Sequence, residues 1–320
     1  MSAGTACALA RGAALDWGRH YLMCAPEHFR LDYAINPWMD LTARIDPDRA
    51  LEQWHALVGT LRAAGATVET IPGLPQAPDM VFAMNYGLVD GDRVAITSFR
   101  HPQRRPESAA ARDWFQGRGL AATVIGAGSV IGAGSAIGAG SLAFEAGDAF
   151  LFGESLLVAA GPRTDAAAHA ELARVLGVRV RPVPIAHPAL YHLDLSFCPL
   201  DSTHAIVAPG AWSAAGRASM ATVVPEPLVL SDEEAFTFAA NSVVVDRTVI
   251  MPASTPVRVA RQLEAWGFTV ALVDVSEAHK AGGSVRCMTL PLDTRLDAAR
   301  VRPAQSTLDR PAQSTLDRNA

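Results

Sequence analysis

The chain has no C-x-x-C pair, no uninterrupted run of 18 apolar residues, and no G-x-G-x-x-G behind its first strand-like segment. The first absence removes the usual thiolate zinc site. The four cysteines, Cys7, Cys24, Cys198 and Cys287, are scattered, which suits a reducing, cytoplasmic setting better than a disulfide framework. The second absence leaves no membrane-spanning helix to expect, and the N-terminus lacks the basic start and apolar stretch of a signal peptide. The third leaves a dinucleotide-binding fold without support. Basic charge is also short: 27 Lys and Arg stand against 32 Asp and Glu, a net charge of −5, so there is no electrostatic footprint for nucleic acid. The balance leaves room for a cationic small-molecule substrate. What the chain has in quantity is apolar residues, 50% of 320, enough for a sizeable core.

Patterning divides the chain into short strands and helices. Asp46-Pro47 reads as an N-cap with proline at the first helical position, and Leu51, Trp54, Leu57, Val58 and Leu61 carry the helical period up to Gly65. Thr67–Ile71 reads as a strand. The stretch Asp79 to Ile96 reads as a hairpin turning at Asp90-Gly91-Asp92, with Asp79 and Asn85 as polar residues at its edges. A strand–strand–helix–strand unit recurs about five times, which is neither regular βαβ alternation nor a sandwich. Residues 1–16 read as a loose tail. Val124 to Ser141 repeats [VA]-I-G-A-G-S three times, too few turns for a β-helix or a hexapeptide acyltransferase, and reads as a flexible surface loop. Pro303–Arg310 is repeated at once as Pro311–Arg318, so residues 297–320 read as a disordered tail. Residues 17–296 remain as the folded domain, where any catalytic chemistry is expected.

Four stretches carry chemistry. Gly282-Gly283-Ser284-Val285-Arg286-Cys287 presents a cysteine beside a basic residue, where a lowered thiol pKa would make it a nucleophile; a buried structural cysteine is the bland alternative. His192 and Asp194 alternate with apolar residues, which places both on one face of a strand as a possible acid/base pair or as a satisfied core histidine. Phe144-Glu145-Ala146-Gly147-Asp148 sets two acids three residues apart ahead of a strand. The cationic loop from Arg100 to Arg105 could hold a carboxylate through an arginine fork, or could simply be a solvated face.

Together these motifs resemble the guanidino-group-modifying enzymes of the pentein superfamily over about Arg19 to Leu292. The resemblance implies an α/β fold, a five-bladed α/β-propeller of repeated ββαβ units around a central site, and no cofactor or metal. It implies that Cys287 attacks the guanidinium carbon and that His192 protonates the departing amine and then activates water. Glu145 and Asp194 would hold the planar cation, or Glu145 would orient His192. Arg104 and Arg163 match positions that hold the amino-acid carboxylate; Asp79 and Asp148 belong to the same motifs. Dimethylargininases and deiminases have an aspartate where this chain has Asn85, and dimethylargininases usually have a lysine at Asp194. The arginine dihydrolase domain carries this asparagine, a second one at Asn36, and His-Leu-Asp. The resemblance therefore leans to an arginine dihydrolase releasing ornithine, ammonia and carbon dioxide. A dimethylarginine dimethylaminohydrolase is the alternative, then an amidinotransferase or a non-catalytic binding protein. The expected partner is arginine or a methylated arginine, with no nucleic acid or membrane, and homo-oligomerisation is left open.

Overall fold

The computed structural model describes residues 12–126 and 142–296. Its chain builds five three-stranded sheets, each of the same design: two antiparallel strands, a helix, and a third strand parallel to the second. After β1 (His20–Cys24), helix α1 (Pro47–Ala63) leads to β2 (Thr67–Ile71). The second sheet holds β3 (Gly87–Asp90), β4 (Arg93–Ile96), α2 (Arg105–Gln116) and β5 (Ala121–Val124). The third holds β6 (Ala149–Phe152), β7 (Ser155–Ala160), α3 (Ala168–Leu176) and β8 (Val180–Pro184). The fourth holds β9 (Phe197–Pro199), β10 (His204–Val207), α4 (Ala214–Ala221) and β11 (Glu226–Val229). A short helix α5 (Asp232–Ala235) precedes the fifth, made of β12 (Val243–Val245), β13 (Thr248–Pro252), α6 (Val257–Ala265) and β14 (Thr269–Val273). Helix α7 (Ser276–His279) then leads to β15 (Leu290–Pro291), which pairs antiparallel with β1, Leu22 opposite Leu290. The last strand thereby completes the first sheet.

Local chemistry explains the elements. Asp46 caps α1 by accepting from the Asp48 and Arg49 amides at 3.1 Å each, with Pro47 in the first turn. Trp54, Leu57, Val58 and Leu61 turn inward, while Leu51 faces out at 39% exposure. Leu57 and Leu61 are fully buried, worth about 1.5–3 kcal/mol each. The inner strands are buried on nearly every residue, as β6 and β9 are along their whole length, so they read as apolar runs rather than alternations.

Two expectations are corrected. Asp79 to Asn85 is not a hairpin arm; it forms two 3-10 turns, Pro78–Val81 and Ala83–Tyr86, and the hairpin begins at Gly87. His192 and Asp194 are not on a strand; Asp194 sits in the 3-10 turn Leu193–Leu195, and β9 begins at Phe197. These turns satisfy their own amides: Asn85 N–H bonds Phe82 O at 3.2 Å and Leu195 N–H bonds His192 O at 3.2 Å. That frees their polar side chains to project without breaking a ladder. Chain packing also starts before position 17, since Ala14 bridges Asp201 and the Ala13 amide donates to Ser202 Oγ at 2.9 Å. The hexapeptide repeat beyond Gly126 and the tandem C-terminal repeat lie outside the described residues, as does Cys7. Among the described residues no helix is long and apolar enough to cross a membrane.

Candidate active site

Each sheet is entered through a buried turn that stands just before its first strand, and these five turns are tied to one another in a closed cycle. Gly147 N–H, ahead of β6, donates to Asn85 Oδ1, ahead of β3, at 3.0 Å. Leu193 N–H, ahead of β9, donates to Asp148 Oδ1 at 3.0 Å. Asn241 Nδ2, ahead of β12, donates to Asp194 O at 3.0 Å. Cys287 N–H, ahead of β15, donates to Asn241 Oδ1 at 3.2 Å, and Met84 N–H closes the cycle on Cys287 O at 3.0 Å.

The side chains with chemistry project from this ring. Cys287 Sγ lies 3.3 Å from Asp194 Oδ2 and 3.2 Å from Asn241 Nδ2. His192 Nε2 lies 2.9 Å from Glu145 Oε2. A carboxylate can only accept, so Nε2 carries the proton, and Nδ1 is left without a partner among the described residues. A Cβ on Gly147 would stand 2.8 Å from Asn85 Oδ1, 3.2 Å from His192 Nδ1 and 3.3 Å from Asp194 Oδ2. Three functional atoms therefore border one glycine, and any side chain there would strike them. The Gly282-Gly283 pair is needed for a similar reason. Gly282 has φ +80, and a Cβ on Gly283 would meet the Phe82 ring at 2.2 Å.

Burial sets the electrostatics, because all these groups are at most 2% exposed. Burial and the Asp194 carboxylate push the Cys287 thiol well above its ordinary range. Burial raises Asp194 to about 7, against the thiol hydrogen bond and the Arg286 charge. Asp148 is raised to about 6, again by burial. Burial acts the same way on Glu145, but the Arg163 guanidinium and the His192 ring outweigh it and hold this carboxyl below the usual range. The sequence suggested that the basic neighbour would lower the thiol pKa; the structure reverses this in the resting site. Arg286 is itself buried away from water, over the Trp17 and Phe150 rings at 5.3 and 5.0 Å, and Asp194 lies closer to the sulfur in effect.

The arginines are occupied. Arg163 Nη1 donates to Glu145 Oε2 at 2.9 Å and Nη2 to Ile35 O at 3.1 Å, with its guanidinium over Tyr191. Arg104 is buried rather than solvated and forks onto Glu107, Nε to Oε1 at 2.8 Å and Nη2 to Oε2 at 2.7 Å. Its Nε lies 3.9 Å from Asp79 Oδ2, and Asp79 Oδ1 has no partner among the described residues. Both polar ends of Asn36 serve backbone: Oδ1 accepts from Trp38 N–H at 2.9 Å and Nδ2 donates to Ala281 O at 3.0 Å. It ties the Asn-Pro turn to the loop ahead of Gly282-Gly283 instead of projecting into the ring. The structure thus gathers Cys287, His192, Glu145, Asp194, Asn85 and Asp148 in one place, with Arg163 against Glu145. It sets Arg104, Asp79 and Asn36 in supporting contacts. Sequence reasoning missed Asn241; the available signal was its place two residues before an apolar strand, the same offset as Asn85.

This geometry has known counterparts. The model for the eukaryotic N,N dimethylarginine dimethylhydrolase family matches residues 25–294. The N(G),N(G)-dimethylarginine dimethylaminohydrolase of Mycobacterium tuberculosis is 35% identical over 274 residues, covering 86% of this chain and 86% of that protein. The bifunctional arginine dihydrolase/ornithine cyclodeaminase AgrE of Nostoc sp. is 34% identical over 280 residues, 84% of this chain but 37% of that protein's length. The crystal structure of the N-terminal domain of ArgZ, a product-bound arginine dihydrolase from the ornithine-ammonia cycle in cyanobacteria, superposes with a TM-score of 0.79. It is 30% identical and covers 87% of this chain and 98% of that one.

Proposed function

We propose that this chain, which belongs to the dimethylarginine dimethylaminohydrolase family and is a hydrolase of guanidino groups, acts as an arginine dihydrolase. Arginine and two waters would give ornithine, two ammonias and carbon dioxide. Residues 17–296 form the catalytic domain. The five like sheets and the β1–β15 closure support a five-bladed α/β-propeller with the ring of turns at its centre. A nucleophilic thiol suits a reducing compartment such as the cytoplasm.

The chemistry follows from the charges. At rest, Cys287 is a thiol beside Asp194; burial disfavours an anion on either group, and the Asp194 carboxylate further opposes a thiolate. A planar guanidinium cation between them supplies the missing positive charge, so Asp194 releases its proton to solvent and holds the cation, and the thiol proton passes to His192 Nδ1. Sγ bonds the guanidinium carbon, His192 protonates one nitrogen from Nδ1, and that nitrogen leaves as ammonia. Glu145 keeps Nε2–H in place and stabilises the imidazolium. His192 then takes a proton from water as the water oxygen bonds the thiouronium carbon, and the C–S bond breaks to leave a ureido group and the thiol.

One observation favours a second round: Gly147 N–H fixes Asn85 Oδ1 at 3.0 Å. The amide must therefore turn its Nδ2 donor away from Gly147. A ureido carbonyl needs a donor that an aspartate at this position would lack, and a neutral side chain leaves no unpaired buried charge once the cation is gone. Dimethylarginine hydrolysis remains the rival, favoured by the relative from M. tuberculosis. The pure protein, incubated separately with arginine and with dimethylarginine and analysed by mass spectrometry, decides between them. The expected products are ornithine from the wild type and accumulating citrulline from Asn85→Asp. Untouched arginine, with dimethylarginine converted to citrulline and dimethylamine, would establish the rival.

A further inference from the structure

Four of the five turns in the ring carry side chains that the motifs single out: Asn85 ahead of β3, Glu145 and Asp148 ahead of β6, His192 and Asp194 ahead of β9, and Cys287 ahead of β15. The turn ahead of β12 carries none of those motifs. It carries Asn241, which stands two residues before its strand, as Asn85 does before β3. We propose that Asn241 is a catalytic residue whose side-chain amide stabilises the Cys287 thiolate and fixes the sulfur against Asp194. The proposal rests on the reading of Cys287 as the nucleophile.

The contacts are specific to an amide. Nδ2 donates to Cys287 Sγ at 3.2 Å and to Asp194 O at 3.0 Å, and Oδ1 accepts from Cys287 N–H at 3.2 Å. The Asn241 carbonyl also accepts from Arg286 N–H at 3.2 Å. Asparagine is 0% exposed here, so every one of these contacts is made without water. Two donors and one acceptor are all in use, a set that neither aspartate, serine nor leucine can reproduce. A purely structural role would need only the acceptor for the Cys287 amide; the donor aimed at sulfur is the surplus that points to chemistry.

The backbone leading to Asn241 is held in an unfavourable form. Phe238 has φ +62, a left-handed conformation that a bulky side chain rarely adopts. It is kept there by stacking on His279 at 4.6 Å and by Trp38 at 4.6 Å, and its carbonyl accepts Asn241 N–H at 2.8 Å. The sheet thus retains local strain that delivers the asparagine to the ring.

Several groups act on the sulfur. Asp194 faces it at 3.3 Å and opposes the thiolate. Arg286 favours the thiolate, and Tyr191 also acts on it through space. His192 borders the same glycine as Asp194. Against burial and Asp194, two neutral donors stabilise negative charge on the sulfur, the Ser284 backbone N–H and the Asn241 side-chain amide at 3.2 Å, and only the second is a side chain.

The test is the pH dependence of Cys287 alkylation by iodoacetamide, read by mass spectrometry on the Cys287 peptide, together with kcat and KM. In Asn241→Ala the titration midpoint of Cys287 should rise by about one unit. A thiol with a pKa one unit higher has a tenfold smaller thiolate fraction but a more nucleophilic thiolate, so alkylation at neutral pH should slow about threefold and the high-pH plateau should rise about threefold. Turnover should fall with KM little changed. Asn241→Asp is isosteric and keeps the acceptor for the Cys287 amide but donates nothing; it should show a rise at least as large, and it decides the matter if the alanine variant does not fold. A folded variant with the wild-type midpoint would overturn the proposal. Wild-type turnover in Cys287→Ser would instead overturn the nucleophile assignment on which it rests.

Discussion

A hollow beside the second sheet and the ring of turns differ in almost every physical respect. The hollow, about 680 Å³, is lined by His20, Glu69, Trp114, Arg118 and Arg295 among others. Its ion pair, Arg118 to Glu69 at 3.0 Å, is 41% and 38% exposed. In the ring, Arg163 and Glu145 are 2% and 0% exposed, and His192 Nδ1 and Asp194 Oδ1 have no partner among the described residues. Exposed pairs are screened and worth about 0–1 kcal/mol. Buried groups without full partners are held off their ordinary ionisation and respond strongly to an incoming charge. Volume marks where water collects; desolvated charge marks where a reaction can be driven.

The sharpest way to break this contrast is Cys287→Ser. Turnover should fall about a thousandfold or more while circular dichroism and the unfolding midpoint stay near wild type. Activity within tenfold of wild type would move the chemistry elsewhere. A smaller effect is expected from the buried acid. Asp194 has its folded pKa raised to about 7 from 3.8. The folded state therefore holds a proton that the unfolded chain sheds, a contribution fully present below about pH 4 and lost as pH rises through 7. Asp148 acts the same way and Glu145 the opposite way. Relative to wild type, Asp194→Asn should gain stability between pH 5 and pH 8, on the order of a few kcal/mol. Urea unfolding at both values measures this, and equal differences at the two pH values would count against it. The smallest effect belongs to the hollow. Arg118→Ala should change stability by about 1 kcal/mol or less, since it removes one exposed pair and a cation–π contact with Trp114, and kcat/KM should not move. A tenfold loss of activity would make the hollow part of the site.

Much of this was legible in the residues. The strand–strand–helix–strand unit does recur five times, its third strand parallel to the second, and Cys287, His192, Glu145 and Asp194 do converge. What escaped was conformation near the centre. Alternation of His192 and Asp194 with leucines looks like a strand, but side chains two apart also project together from a tight turn. Arg104 sits in a run of cations that reads as solvated, yet Glu107 three residues on gives it a buried partner. Asn241 carries no charge and no motif, and its importance comes from contacts with Cys287 and Asp194, which are 46 and 47 positions away. Sequence spacing cannot register such a meeting, because it is set by how five separate sheets close.

That closure has a consequence for how the protein comes into being. The strand that seals the first sheet is also the one that carries the cysteine in, and Asp293 beside it binds the Arg19 amide across 274 positions of sequence. During synthesis from the N-terminus, four complete sheets and their acid, base and amide groups emerge while the first waits for its partner. On the proposed role of Cys287, reactivity arrives with the final stretch, so a nascent chain stalled short of residue 287 lacks its nucleophile, and one that completes the pairing gains it together with its closed architecture.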